Sequence, residues 1–135
     1  MSNDSPANSF VTDTMAIILW FENRRLPSRV ELLFEQAKTG QSIILIPGIV
    51  FAEVLYLYER GRIRTSVADV NGLLTNYPGF QELPLSGRIA DAAVSITDIP
   101  ELHDRLIAAS GAATGVVILT NDPVIQKSRW VKTLW

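Results

Sequence analysis

The run Ile43-Ile44-Leu45-Ile46, closed by Pro47-Gly48, constrains this chain more than any other feature. A continuous apolar run between breakers is what a strand covered on both faces requires, and such strands belong to parallel sheets. The rest of the chain alternates in the same way. Phe10 to Asp13 reads as a short strand ending on its acid, followed by a helix from Met15 to Phe21 that closes before Pro27. Ser28 to Lys38 is an amphipathic helix stopped by Gly40, and Ile49 to Arg60 a helix ending at Gly61. A helix over Ser66 to Thr75 meets the turn Asn76-Tyr77-Pro78-Gly79, and a strand follows over Phe80 to Leu85. Helices at Gly87 to Ile96 and Leu102 to Ala113 lead to a strand at Gly115 to Thr120. Asp122-Pro123 opens a last short helix, and Trp130 to Trp135 suits an edge strand. Strands alternating with helices predict an α/β fold on a parallel sheet.

The chain has 135 residues, 47% of them hydrophobic, with a formal net charge of −2 and no cysteine. This is the size and apolar share of one folded domain rather than a disordered chain. Residues 1–9, polar and without a base, are expected as a flexible tail, and residues 10–135 as a single domain. Without cysteine there is no disulfide framework, thiol chemistry or zinc–cysteine site. The longest uncharged run, Leu106 to Asn121, is 16 residues and holds two glycines, short of the roughly 20 apolar residues of a spanning helix. A soluble, cytoplasmic protein is expected.

Ligands of parallel sheets bind beyond the carboxyl ends of the strands, where Asp13 and Asp122 stand. Glu53 sits in Ile49-Val50-Phe51-Ala52-Glu53-Val54-Leu55-Tyr56-Leu57-Tyr58, apolar in almost every direction, so it is expected to be buried on most sides. A buried carboxylate needs a cationic partner or a metal. Asp104 opens an apolar helix, where a carboxylate also suits the positive end of the helix dipole. Asp122 before Pro123 has the form of an N-cap, and Asp98 with Glu101 that of a capping box. His103 is the single histidine and is expected at the surface or in support of a site; Asp91 and Glu101 read as solvated charges. Four carboxylates meeting in one cleft suit a hard cation such as Mg2+ or Mn2+. One or two such ions would offset their mutual repulsion, activate a water and screen a phosphodiester.

Val11-Thr12-Asp13-Thr14, Ala52-Glu53-Val54-Leu55, Asp104-Arg105-Leu106-Ile107-Ala108-Ala109 and Leu119-Thr120-Asn121-Asp122, in that order, resemble the motifs of PIN-domain proteins. The likeness is greatest to the VapC-type toxins of type II toxin–antitoxin pairs and covers nearly the whole chain. It implies a three-layer α/β/α sandwich with a mostly parallel central sheet, and a Mg2+- or Mn2+-dependent endoribonuclease. It carries the metal-centre role onto Asp13, Asp104 and Asp122, with Glu53 completing the catalytic set. Thr14 and Thr120 match polar positions that support the centre. Met15 departs from the pattern, since the family often has a small polar residue there, and so does His103. A homodimer, a cognate antitoxin and an RNA substrate are the implied partners.

RNA needs positive charge, and the bases fall into Arg24, Arg25 and Arg29; Arg60, Arg62 and Arg64; and Lys127, Arg129 and Lys132. Arg105 adjoins a proposed ligand and could pair with an acid. The aromatic helix face of Phe51, Tyr56 and Tyr58, with the pair Trp20-Phe21, exceeds what a small core readily covers and suggests an interface. An aspartyl phosphatase would want a second acid where Met15 stands, a receiver domain lacks its adjacent acids, and no Gly-x-Gly-x-x-Gly follows the first strand. The remaining rival is a catalytically silent PIN-like module that binds RNA or protein.

Overall fold

The computed structural model describes residues 8–135; residues 1–7 of the expected tail lie outside the described residues. Five strands form one sheet: β1 (Ser9–Thr12), β2 (Ile43–Pro47), β3 (Phe80–Leu83), β4 (Val117–Leu119) and β5 (Thr133–Leu134). Seven helices connect them: α1 (Thr14–Phe21), α2 (Ser28–Ala37), α3 (Gly48–Glu59), α4 (Val67–Asn76), α5 (Gly87–Ser95), α6 (Leu102–Thr114) and α7 (Pro123–Gln126). Ser9, expected in the tail, is the first residue of β1. Asn8 is also held, its side-chain amide donating to the Gln41 carbonyl at 3.2 Å.

The strand order is β3-β2-β1-β4-β5 and every pairing is parallel. From β1 the chain moves outward through β2 to β3, then returns to the other side of β1 for β4 and β5. Right-handed crossovers put the helices of the two halves on opposite faces. Accordingly α2 and α3 pack on β2 and α4 on β3, while α6 lies against β1 and β4. The result is the three-layer α/β/α sandwich. Between β1 and β4 the direction of strand addition reverses, which opens a crevice at their carboxyl ends.

The core explains the apolar runs. Ile44 and Ile46 of β2, Val11 of β1 and Ile118 and Leu119 of β4 are fully enclosed. On the α2 side, Trp20, Phe34 and Phe80 stack with ring centroids 5.3, 5.4 and 6.4 Å apart. Trp20 is therefore core rather than interface, and its indole N–H donates to Glu35 at 2.7 Å. On the α6 side, a Cβ at Gly111 would lie 2.5 Å from Ile118 Cγ1, so only glycine lets α6 settle onto β4. Gly115 ends α6 at φ 72°, the left-handed position that glycine adopts without strain.

Three local expectations change. Asp98 caps no helix; its carboxylate accepts from Ser128 Oγ at 2.9 Å and the Arg129 amide at 3.0 Å. The α6 N-cap is Glu101, which accepts from the Asp104 amide at 2.8 Å and also pairs with His103 at 2.7 Å, so it is not merely solvated. Arg105 pairs with no acid among the described residues; its Nε donates to the Ile99 carbonyl at 2.8 Å. Only Asp98 is taken up by distant groups, 30 and 31 positions along the chain; Glu101 and Arg105 find their partners within six residues.

Candidate functional site

Register builds the site. Thr12 pairs with Leu119 across β1 and β4, so the next residues on each strand, Asp13 and Thr120, emerge side by side. Asp13 is the N-cap of α1: one carboxylate oxygen accepts from the Ala16 amide at 2.8 Å. The other accepts from Thr120 Oγ1 at 2.5 Å. Thr120 in turn accepts from the Asp122 amide at 3.0 Å, linking the first acid to the fourth. Asp122 caps α7 through the amides of Val124 at 2.8 Å and Ile125 at 3.3 Å. It is thus a helix cap and a cleft residue at once.

Glu53 reaches the same cleft from α3 and Asp104 from the first turn of α6. Thr14 Oγ1 donates to Glu53 Oε1. Glu53 is half-buried rather than enclosed, because α3 buries only Val50 and Val54. Ile49, Phe51 and Leu57 pack partly against the core, while Leu55, Tyr56 and Tyr58 face outward at 48%, 54% and 48% exposure. The apolar sequence around Glu53 marked an uncovered helix face, not a buried helix.

All four acids line one cleft of about 380 Å³ at the crevice between β1 and β4. Among the described residues none of them forms an ion pair, and the effect appears in the titration of Asp13 and Asp104. Asp13, 8% exposed, has its carboxyl pushed up from the ordinary 3.8 to about 6. Burial is the main cause; the Thr120 and Ala16 hydrogen bonds oppose it, and the charges of Asp122 and Glu53 add to it. Asp104 is also raised to about 6, by partial burial and then by repulsion from Asp122, Glu101, Glu53 and Asp13.

This makes a checkable difference to stability. Asp13 binds its proton more tightly folded, near 6, than at the ordinary 3.8 of an unfolded chain. Its contribution is present below the lower value and lost as pH rises through the upper one, a loss of about 3 kcal/mol. Without metal ions, Asp13→Asn is expected to be the more stable protein at about pH 7.5, with the gap closing by about pH 4. Urea denaturation of both proteins across that range measures it.

The cleft also holds Met15, noted in the sequence only as a departure from the motif, and four residues given no site role there: Leu19, Ile107, Asn121 and Trp135. Asn121 lay inside a recognised motif. Trp135 carried no signal, since only the pairing of β5 with β4 brings it there.

The donor set fits a hard divalent cation: four oxygen acids line the cleft with no Lys, Arg or His among its lining residues. As they stand, no three His, Cys, Asp or Glu side chains among the described residues are grouped closely enough to hold one. Such an ion would be bound through one or two carboxylates and water.

The PIN domain family model matches residues 10–130. The chain belongs to the PIN domain family. Solved structures share the fold of this PIN-domain chain at low identity. VapBC2 from Rickettsia felis, bound to a DNA fragment from its promoter, contains a chain 17% identical, with a TM-score of 0.66 over 94% of this chain and 98% of that one. DNA-bound VapBC from Salmonella typhimurium gives 14% identity and 0.65 over 93% and 96%. FitAcB from Neisseria gonorrhoeae gives 16% and 0.64 over 93% and 96%. No curated protein matches the sequence significantly. No helix among the described residues of this PIN-domain chain is long and apolar enough to cross a membrane.

Proposed function

We propose that this PIN-domain chain is a divalent-metal-dependent endoribonuclease and the toxin of a type II toxin–antitoxin pair. The observation that carries the reading is the convergence of Asp13, Glu53, Asp104 and Asp122, from four separate elements, on one cleft with no cationic partner among the described residues. Mg2+ or Mn2+ held by Asp13, Asp104 and Asp122 would neutralise a phosphodiester and supply an activated water. Thr120 fixes the Asp13 carboxylate, and the α7 amides fix that of Asp122, so neither has to reorganise when charge develops. Thr14 ties Glu53 through Oε1, leaving Oε2 to take the proton of the attacking water.

The toxin setting is supported by the fold shared with VapBC and FitAcB. The outward face of Leu55, Tyr56 and Tyr58 gives a second copy of the chain, or a cognate antitoxin, apolar surface to cover.

The test is cleavage of a broad RNA panel by the purified protein with Mg2+ or Mn2+ and with a chelator. Metal-dependent cleavage, with growth arrest on expression relieved by a small protein encoded next to it, is the expected result. Tight RNA binding without cleavage under any metal would favour the silent binding module instead.

A further inference from the structure

The acid cleft continues into two neighbouring cavities. On the Glu53 side lies a mostly apolar space of about 420 Å³ between Ala52, Glu53, Tyr56, Leu57 and His103, where the nearby guanidinium of Arg60 is already stacked over the Tyr56 ring at 4.5 Å. On the other side the cleft shares Leu19, Asn121 and Trp135 with a groove of about 590 Å³ that runs to Arg25 and Ser28 in the α1–α2 connection. The three arginines near this connection have separate fates. Arg24 is paired with Glu22 at 3.5 Å. Arg29 donates through its guanidinium, at 2.9 Å from Nε, to the main-chain carbonyl of Trp135. Arg25 is exposed, lines the groove, and has no ion pair among the described residues.

Trp135 therefore occupies the junction between the acids and a free guanidinium. Its carbonyl is held by Arg29, and the residue before it is tied into the sheet, where the Thr120 amide donates to the Leu134 carbonyl at 3.3 Å. Its indole is half-buried and lines both cavities. A fixed aromatic ring beside a cation along a groove is the arrangement that tracks a single nucleic-acid strand: the ring stacks a base of any sequence and the cation takes the backbone.

We propose that single-stranded RNA leaves the acid cleft over Trp135, which stacks the base next to the scissile phosphate, and that Arg25 takes a following phosphate. The proposal rests on the ribonuclease reading and adds the direction of the strand and two substrate-positioning residues. Among the described residues neither one hydrogen-bonds or ion-pairs with the carboxylates, so both act on substrate binding and not on the chemical step. The apolar side toward Tyr56 is not part of the RNA path.

The experiment measures steady-state cleavage and, with metal chelated, fluorescence-anisotropy binding of labelled single-stranded oligoribonucleotides. Trp135→Ala is expected to raise KM and weaken binding on the order of tenfold with kcat nearly unchanged, and Trp135→Phe to restore most of the loss. Arg25→Gln, an exposed change that leaves the core untouched, is expected to lower the slope of log affinity against log salt by about one. Tyr56→Ala is expected to change none of these. Unaltered KM and binding in both Trp135→Ala and Arg25→Gln, with cleavage intact, would overturn the path while leaving the ribonuclease reading in place. The same losses appearing in Tyr56→Ala instead would move the path to the other side and equally overturn it. A wild type that neither binds nor cuts any RNA would overturn both readings.

Discussion

Asp104→Asn and Asp13→Asn are each expected to lower metal-dependent RNA cleavage by at least about a hundredfold while the fold survives. Loss of a group that merely orients a metal ligand commonly costs about 10- to 100-fold, and these substitutions remove a proposed ligand itself. Each exchange keeps the shape of the side chain and removes one negative charge. At Asp104 the helix contact is the amide N–H to Glu101, which a side-chain change leaves in place. At Asp13 the asparagine carbonyl can still accept from the Ala16 amide, and the charge lost is one that burial already disfavours. The variants should therefore unfold at or above the wild-type midpoint without metal, and Mg2+ or Mn2+ should stabilise them less than it stabilises the wild type. Cleavage assays paired with thermal unfolding separate lost chemistry from lost structure. Undiminished cleavage by clean preparations of both variants would sink the proposed mechanism.

Gly79→Ala is expected to destabilise the fold by about 3 kcal/mol or more, lowering the thermal midpoint by roughly 10 °C. A Cβ at this position would lie 2.3 Å from the Ala37 carbonyl oxygen and 2.4 Å from that of Ser42. Both are backbone atoms, at the end of α2 and the entry to β2, and cannot swing aside as a flexible side chain would. Gly79 is also bonded at both ends, its amide to the Ala37 carbonyl and its carbonyl to the Ile44 amide, each at 2.8 Å. Relief of the clash must part α2 from β3 and so loosen the stack of Trp20, Phe34 and Phe80. Gly87→Ala is the control, since a Cβ there meets nothing within 4 Å, and its midpoint should stay near that of the wild type. A Gly79→Ala protein as stable as this control would show that the α2–β3 junction is not close-packed. The turn Asn76-Tyr77-Pro78-Gly79 was legible in the sequence, but it suggested a turn glycine. The need is for space between three backbones, a property of assembly.

The same division holds at the site. Asp13 and Asp122 could be recognised as acids after strands because apolar runs and breakers are local signals, and the end of a parallel strand is a known place for ligands. Glu53 was correctly placed on a helix but wrongly taken as buried, because an apolar helix reads the same whether a core or a partner covers it. Among the bases, clustering along the chain said nothing of fate: Arg24, Arg25 and Arg29 lie within six positions yet form an ion pair, line a groove and pin a carbonyl.

By itself, the sequence determined the order and kind of the elements, the parallel sheet and the identity of the four acids, since each depends on residues within a turn or two of one another. Tertiary structure alone decided that β4 rather than β3 lies beside β1, and with it that Thr120 meets Asp13. It also decided that Trp135, one residue beyond β5, lines the cleft. Those contacts join residues about a hundred positions apart, and the packing of both faces of the sheet selects them.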